Sequence, residues 1–157
     1  MATLTAARAA ANFPVAGHGF GGALKVAWGT YTLAANPTAA DIIRFCRVPA
    51  YATVIGGVFY GADIDTGTET LDIDIGWEDN GTDAADPDGF GNFGVLSGDV
   101  ITELIPIAGI WRPLQGVLLT AGPKTFAAET IISGTVVAAA AAGGTGVLSL
   151  NVYYTLE

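Results

Sequence analysis

Carboxylates are the side chains of this sequence whose spacing best suits chemistry, because several acidic oxygens close together can bind Ca²⁺. The candidates between positions 63 and 79 are Asp63, Asp65, Asp72, Asp74, Glu78 and Asp79. However, Thr68 stands where an EF-hand loop that starts at Asp63 requires glycine, and no flanking helices are predicted. We therefore expect a solvated or salt-bridged acidic face, with Arg44 and Arg47 available as partners on a neighbouring strand. The sequence predicts no metal ion and no cofactor, and a bound cation is the alternative.

The remaining reactive residues do not form a catalytic pattern. A nucleophile needs a base beside it, and the single histidine, His18, lies in a glycine-rich segment without acidic neighbours. The single cysteine, Cys46, fits a small residue of a strand. Two G-x-G-x-x-G matches, at 17–22 and 89–94, lack the strand-to-helix context of a dinucleotide site. The sequence predicts that the protein is not an enzyme.

The elements that carry the carboxylates are predicted strands. Leu71, Ile73, Ile75 and Trp77 alternate with Asp72, Asp74 and Gly76, which is the period of a half-buried strand. Similar strands are expected over eight segments: 23–33, 41–48, 51–60, 71–77, 100–105, 111–119, 129–139 and 147–156. No helix over ten residues is convincing, although 5–11 could form one or two helical turns. The sequence predicts an all-β fold, an antiparallel β-sandwich of about eight strands.

Two segments fall outside the predicted strands. Residues 1–22 are predicted to be an N-terminal arm that precedes a β-sandwich domain at 23–157, and residues 78–98 to be a long polar loop. Apolar side chains in such segments can be received by a partner. The candidate partner-binding residues are Arg8, Phe13, Val15 and Phe20 in the arm and Phe90 and Phe93 in the loop.

Composition limits the partners. Charged residues are 13 % of the chain, against about 25 % in a typical soluble domain. Either much of the surface consists of small neutral residues or other subunits cover much of it, and we expect other subunits. The net charge of −9 argues against nucleic acid as a partner. No apolar run is long enough to span a membrane and no signal peptide is evident, so we expect a soluble product made in the cytoplasm. A homo-oligomer, trimer or dimer, is expected.

Several stretches together resemble the capsid cement (decoration) proteins of tailed phages. They are YTLAAN (31–36), DIIRF (41–45) before VPA (48–50), DIDTGT (63–68), LDIDIG (71–76) and GVLSLNVYY (146–154). The resemblance implies a jelly-roll-like sandwich on the capsid surface of a virion, where it bridges neighbouring major capsid proteins. It covers roughly residues 30–156, so the role of the arm is inferred from its residues alone.

Two other functions use the same fold. A tail or fibre adhesin would use residues 78–98 as a receptor loop and would bind cells. A Ca²⁺-dependent carbohydrate-binding module would use the carboxylates and would bind glycans only with the metal ion present.

Overall fold

The computed structural model describes residues 1–6, 9–12, 23–96 and 109–156. Within these ranges the chain forms ten strands and one helical turn. In chain order they are β1 (Thr3–Thr5), β2 (Lys25–Leu33), β3 (Ile42–Val48), β4 (Ala52–Ala62), β5 (Asp72–Trp77), β6 (Asp86–Gly91), β7 (Gly109–Pro113), α1 (Val117–Thr120), β8 (Lys124–Thr125), β9 (Thr130–Ala138) and β10 (Gly146–Leu156).

The strands form two sheets. Sheet A has the order β1-β3-β9-β5-β6, and sheet B has the order β2-β10-β4-β7, with β8 beside β4. Every pairing is antiparallel except that of β1 with β3, which is parallel. The predicted all-β sandwich is confirmed, with more strands than expected. The jelly-roll connectivity that the resemblance implies stays a prediction.

The core lies between the sheets and contains the residues that alternation assigned to it. Ile73 and Ile75 of β5 are fully buried, and so are Leu150 and Val152 of β10. Aromatic rings connect the two layers: the ring centroids of Phe45 in sheet A and Phe59 in sheet B are 5.9 Å apart, edge to face. Burial of these side chains removes apolar surface from water, which is the main stabilising term of such a fold.

The two sheets approach each other closely where Gly29 of β2 lies over Phe45 of β3. A Cβ atom placed on Gly29 would lie only 1.9 Å from the carbonyl oxygen of Phe45. No side chain fits at that distance, so glycine at position 29 lets the two backbones pack directly against each other. This contact brings the edge of sheet B onto sheet A.

Three predicted elements differ from the structure. The polar segment 78–98 contains β6, because Pro87 and the glycines sit at the edge of sheet A, where a missing donor is tolerated. The segment 111–119 is not one strand: β7 ends at Pro113, and α1 follows after Gly116, whose φ is +56°. The helical turns predicted at 5–11 do not begin at Thr5, because Thr5 belongs to strand β1. The strand predicted at 100–105 lies outside the described residues.

In the part of the chain that the structure describes, no helix is long and apolar enough to cross a membrane.

Candidate interaction site

The first six residues are held on the sandwich as the edge of sheet A. Thr3, Leu4 and Thr5 pair in parallel with the first residues of β3. The backbone N–H of Ala2 donates to Oδ1 of Asp41 at 3.0 Å, and the N–H of Thr38 donates to Oδ2 at 2.9 Å. These two donors hold the pKa of Asp41 below its usual value. The start of the predicted arm is therefore a strand of the domain.

The attachment continues to Ala9. Ala6 and Ala9 are each only 2 % exposed, and the backbone N–H of Ala6 donates to the carbonyl of Arg44 at 2.7 Å. The Nε of Arg47 donates to the carbonyl of Ala9 at 3.1 Å. Any free arm must therefore begin later than residue 9. All four candidate partner-binding residues of the arm lie outside the described residues: Arg8, Phe13, Val15 and Phe20.

The loop between β5 and β6 is fixed to the domain by Asp83. Lys124 Nζ donates to Oδ1 of Asp83 at 2.8 Å, and the side chain of Asn80 and the backbone of Ala127 donate to Oδ2, each at 3.1 Å. The hydrogen bond from Lys124 is the main reason that the pKa of Asp83 is lowered, although burial opposes it. This part of the predicted receptor loop is thus folded onto sheet B.

The two loop phenylalanines have different environments. Phe90 is fully buried, with its ring centroid 4.9 Å from Trp77 and 6.2 Å from Phe126. It belongs to the core and is not accessible to a partner in this structure, contrary to the prediction. Phe93 is partly buried and stacks on Phe59 at 6.4 Å, so it anchors the segment after β6 and keeps part of its ring exposed.

The carboxylates of β5 are not paired with the two arginines. Arg44 binds Glu78 through two hydrogen bonds of 2.6 and 2.5 Å, and Arg47 binds Glu129 at 2.5 Å. Oδ1 of Asp72 and Oδ1 of Asp74 are both buried without a hydrogen-bond partner. The predicted salt-bridged face is therefore wrong for this pair, because the arginines of β3 have closer acidic partners.

Charge and burial act together on Asp74. Burial disfavours its charged form, and the nearby carboxylates of Asp72 and Asp88 add repulsion, which together raise its pKa to about 6. The backbone N–H of Phe93 partly offsets this. Burial also raises the pKa of Asp72. Ionising Asp72 and Asp74 in the folded state therefore costs free energy, on the side of β5 that faces away from the core.

Asp65 serves the backbone rather than a metal ion. Its Oδ2 accepts hydrogen bonds from the N–H groups of Thr70 and Leu71, at 2.6 and 2.8 Å. Burial raises the pKa of Asp65, but the backbone donors outweigh it and the net pKa is lowered. Within the described ranges, no three His, Cys, Asp or Glu side chains are arranged to hold a metal ion.

A further surface was not recognised in the sequence. We use "outer face of sheet B" for the side of β2, β10, β4 and β7 that faces away from the core. Its members are Val26, Trp28, Thr30, Thr32, Val147, Ser149, Asn151, Tyr153, Gly56, Val58, Tyr60, Ala62, Gly109, Trp111 and Pro113. None of them carries a charge. The sequence feature that could have revealed this surface is the absence of charged residues at the outward alternate positions of β2 and β10.

In its described part the molecule is a two-layer β-sandwich with an N-terminal edge strand and one outer face without charged residues. No protein-family model matches the chain, and no curated protein sequence matches it. Solved structures of phage capsids do match.

The chain is similar to a chain of the cyanophage Pam1 capsid asymmetric unit, with 26 % identity, a TM-score of 0.65 and coverage of 94 % of each chain. It is also similar to a chain of the capsid of Ralstonia phage GP4, with 18 % identity, a TM-score of 0.75 and coverage of 99 % of each chain. A third match is a chain of the acidic stable capsid structure of Helicobacter pylori bacteriophage KHP30, with 14 % identity, a TM-score of 0.54 and coverage of 87 % of this chain. The fold is therefore one that occurs in phage capsids.

Proposed function

We propose that this protein is a structural component of a phage virion that binds the outside of the capsid and cements neighbouring major capsid proteins. The observation that carries the proposal is the similarity to the Pam1 capsid chain, which extends over 94 % of both chains at 26 % identity. Because the match covers nearly the full length of each partner, it relates two whole chains of similar size. It does not relate this chain to one domain of a much larger protein.

The physical properties of the chain suit this role. A protein that binds only the assembled shell stabilises the shell by mass action, because it favours the assembled state over free subunits. Repeated over many sites, individually weak contacts add through avidity. The protein needs no catalytic site for such work, and we expect none.

Head binding tests the proposal directly. Phage heads assembled without this protein are mixed with the purified chain and sedimented, and bound protein is measured in the pellet as its concentration is raised. We expect saturable binding, with heads that resist heat better after binding. An acidic protein of similar mass serves as the control for trapping. Protein that stays in the supernatant at all concentrations contradicts the proposal.

The remaining arm residues are proposed as contacts with the shell. Phe13 and Phe20 lie beyond Ala9, the last residue whose attachment to the domain is described, and each would bury an aromatic ring in a pocket of the partner. Burying two phenylalanine side chains contributes on the order of 3–6 kcal/mol before the cost of ordering the segment. A variant with Phe13→Ser and Phe20→Ser should lose head binding and keep its melting temperature. A loss of stability with unchanged binding contradicts this assignment.

We propose that the protein is made in the host cytoplasm and placed on the capsid surface. Arg8 is the first basic residue of an N-terminal segment that contains no acidic residue. Residues 1–40 contain Arg8 and Lys25 and no Asp or Glu, whereas all fifteen acidic residues follow. The end of the chain near the arm therefore differs in charge from the remainder. An acidic patch on the shell would suit Arg8, and Arg8→Glu should weaken head binding, most clearly at low salt.

A further inference from the structure

Asp72 and Asp74 form a site that lacks a positive charge, and we call these two residues the aspartate pair. They are two positions apart on β5, so their side chains lie on the same side of the strand. Asp74 is only 7 % exposed, and Oδ1 of each residue is buried without a hydrogen-bond partner. A buried carboxylate oxygen without a donor costs free energy, and a positively charged donor offsets this cost best.

The strands on either side of β5 add no positive charge to the aspartate pair. On one side, β9 places the uncharged residues Thr135 and Ala138 opposite the pair. On the other side, β6 carries Asp86 and Asp88, and the carboxylate of Asp88 repels that of Asp74. The charged groups that face the pair from these strands are therefore acidic.

The five basic residues of the described chain are placed elsewhere. Two of them lie in sheet B, where Lys25 starts β2 and Arg112 of β7 donates to the carbonyl of Trp111 at 3.1 Å. No described basic residue therefore supplies a cation to the aspartate pair. The other three bind other carboxylates: Arg44 binds Glu78, Arg47 binds Glu129 and Lys124 binds Asp83.

The number of carboxylates favours a basic side chain over a metal ion. Ca²⁺ takes about six to eight oxygen ligands, whereas within the described ranges no three His, Cys, Asp or Glu side chains are arranged to hold a metal ion. One or two carboxylates are enough for a lysine ammonium or an arginine guanidinium, which donates charge-assisted hydrogen bonds to them. The long stem of either side chain can also enter a narrow site while the rest of the partner stays outside. Asp72 is only partly buried, so the pair meets solvent at this residue.

We propose that the aspartate pair binds a lysine or arginine side chain of the capsid shell, and that the outer side of β5 therefore faces the shell. The inference rests on the proposed function, because the shell is the partner, and it adds which surface of the domain makes the contact. Repulsion between the two carboxylates opposes folding of the free chain. A cation from the shell relieves that repulsion only in the bound state.

Ionisation of Asp74 makes this contact depend on pH. Burial and repulsion from Asp72 and Asp88 raise the pKa of Asp74 to about 6 in the free chain, whereas a bound cation favours the charged form and lowers the pKa again. Affinity then rises with pH over the range in which the free carboxyl loses its proton and the bound one is already charged. If the cation returns the pKa to the ordinary value of 3.8, binding is about tenfold tighter at pH 8 than at pH 5.

Head binding at two pH values tests the contact. The full chain is titrated against heads assembled without it, at pH 5 and pH 8 in low salt, and the bound fraction is measured by sedimentation. Asp74→Asn removes the charge with almost no change in shape, so we expect binding at pH 8 to weaken at least tenfold and most of the pH dependence to disappear. Asp72→Asn should weaken binding in the same direction. Asp63→Asn is the matched control, because it removes one charge at an exposed position and should bind as the wild type does.

The melting temperature separates a lost contact from a lost fold. Asp74→Asn should melt higher than the wild type at pH 8, because it removes the repulsion, and should still bind heads less well. If it melts higher and binds as tightly as the wild type, the aspartate pair does not meet the shell, and the proposed function stands without this contact. A control that weakens binding equally, or wild-type binding that EDTA abolishes, also overturns the inference. A wild type that binds heads at neither pH overturns the inference and the proposed function together.

Discussion

Asp72 and Asp74 lie two residues apart on β5, and one carboxylate oxygen of each is buried without a hydrogen-bond partner. Sheet A contains arginines, but Arg44 and Arg47 bind Glu78 and Glu129 instead. The two aspartates therefore repel each other in a site that offers little compensation. Their charge opposes folding, and this makes the stability of the domain depend on pH.

We expect Asp74→Asn to stabilise the domain at pH 8 and to change little at pH 4. The pKa of Asp74 rises from 3.8 to about 6 on folding, so the folded state favours the protonated carboxyl. The penalty is absent below about pH 3.8, grows as the pH rises, and is complete above about pH 6. Removing it should add about 1–3 kcal/mol at pH 8, seen as a higher melting temperature.

Asp63→Asn is the control for this prediction, because Asp63 is exposed on the connection from β4 to β5. It should leave the melting temperature almost unchanged at both pH values. An Asp74→Asn variant with the same shift at pH 4 and pH 8 would show that its effect does not come from ionisation.

Removal of metal ions should not change stability. The described acidic residues are engaged by backbone donors or basic side chains, as at Asp65 and Asp83, or lie in groups that do not converge on one point. We expect EDTA to leave the melting temperature unchanged. A large decrease that Ca²⁺ restores would contradict this, and Asp72 and Asp74 would be the first residues to substitute.

Gly29→Ala should strongly destabilise the domain. Its Cβ would lie 1.9 Å from the carbonyl oxygen of Phe45, so β2 and β3 would have to separate. We expect a loss of about 3 kcal/mol or more in the free energy of unfolding, measured by chemical denaturation. Gly56→Ala is the matched control, because its nearest neighbour would be 3.8 Å away. Equal stability of the two variants would rule out the close approach of the sheets.

Deletion of residues 1–6 should lower the melting temperature. It removes β1, leaves the edge of β3 unpaired and takes away a donor to Asp41. Each hydrogen bond contributes about 0.5–1.5 kcal/mol, so we expect a total loss of about 2–4 kcal/mol. A truncated chain that melts as the full chain does would mean that the N-terminal residues do not stabilise the domain. Because deletion of residues 1–22 would also remove β1, substitution of Phe13 and Phe20 is a cleaner test of the arm than that deletion.

Alternation predicted the core because it depends on local geometry. Ile73 and Leu150 were assigned correctly, since a strand with one buried face must place every second residue inward. β1 could not be found in the same way, because Thr3–Thr5 is stabilised by a distant strand and has no pattern of its own. Phe90 looked like an exposed loop residue, and only the pairing of β6 with β5 places it beside Trp77.

The surface was predicted less well than the core for a related reason. Periodicity assigns Asn151 and Tyr60 to outward positions but cannot tell that their strands are neighbours. The neutral face exists only once β10 lies between β2 and β4. The pairing of Arg44 with Glu78 was likewise missed, because the two residues are 34 positions apart.

The central place of β10 has a consequence for synthesis of the protein. β10 pairs with β2 on one side and β4 on the other, yet it follows both of them in the chain. While the ribosome is still making residues 34–145, the apolar strand β2 has no sheet neighbour and both of its edges are open to other chains. We expect the nascent chain to be prone to aggregation until residues 146–156 emerge, after which sheet B closes in one late step.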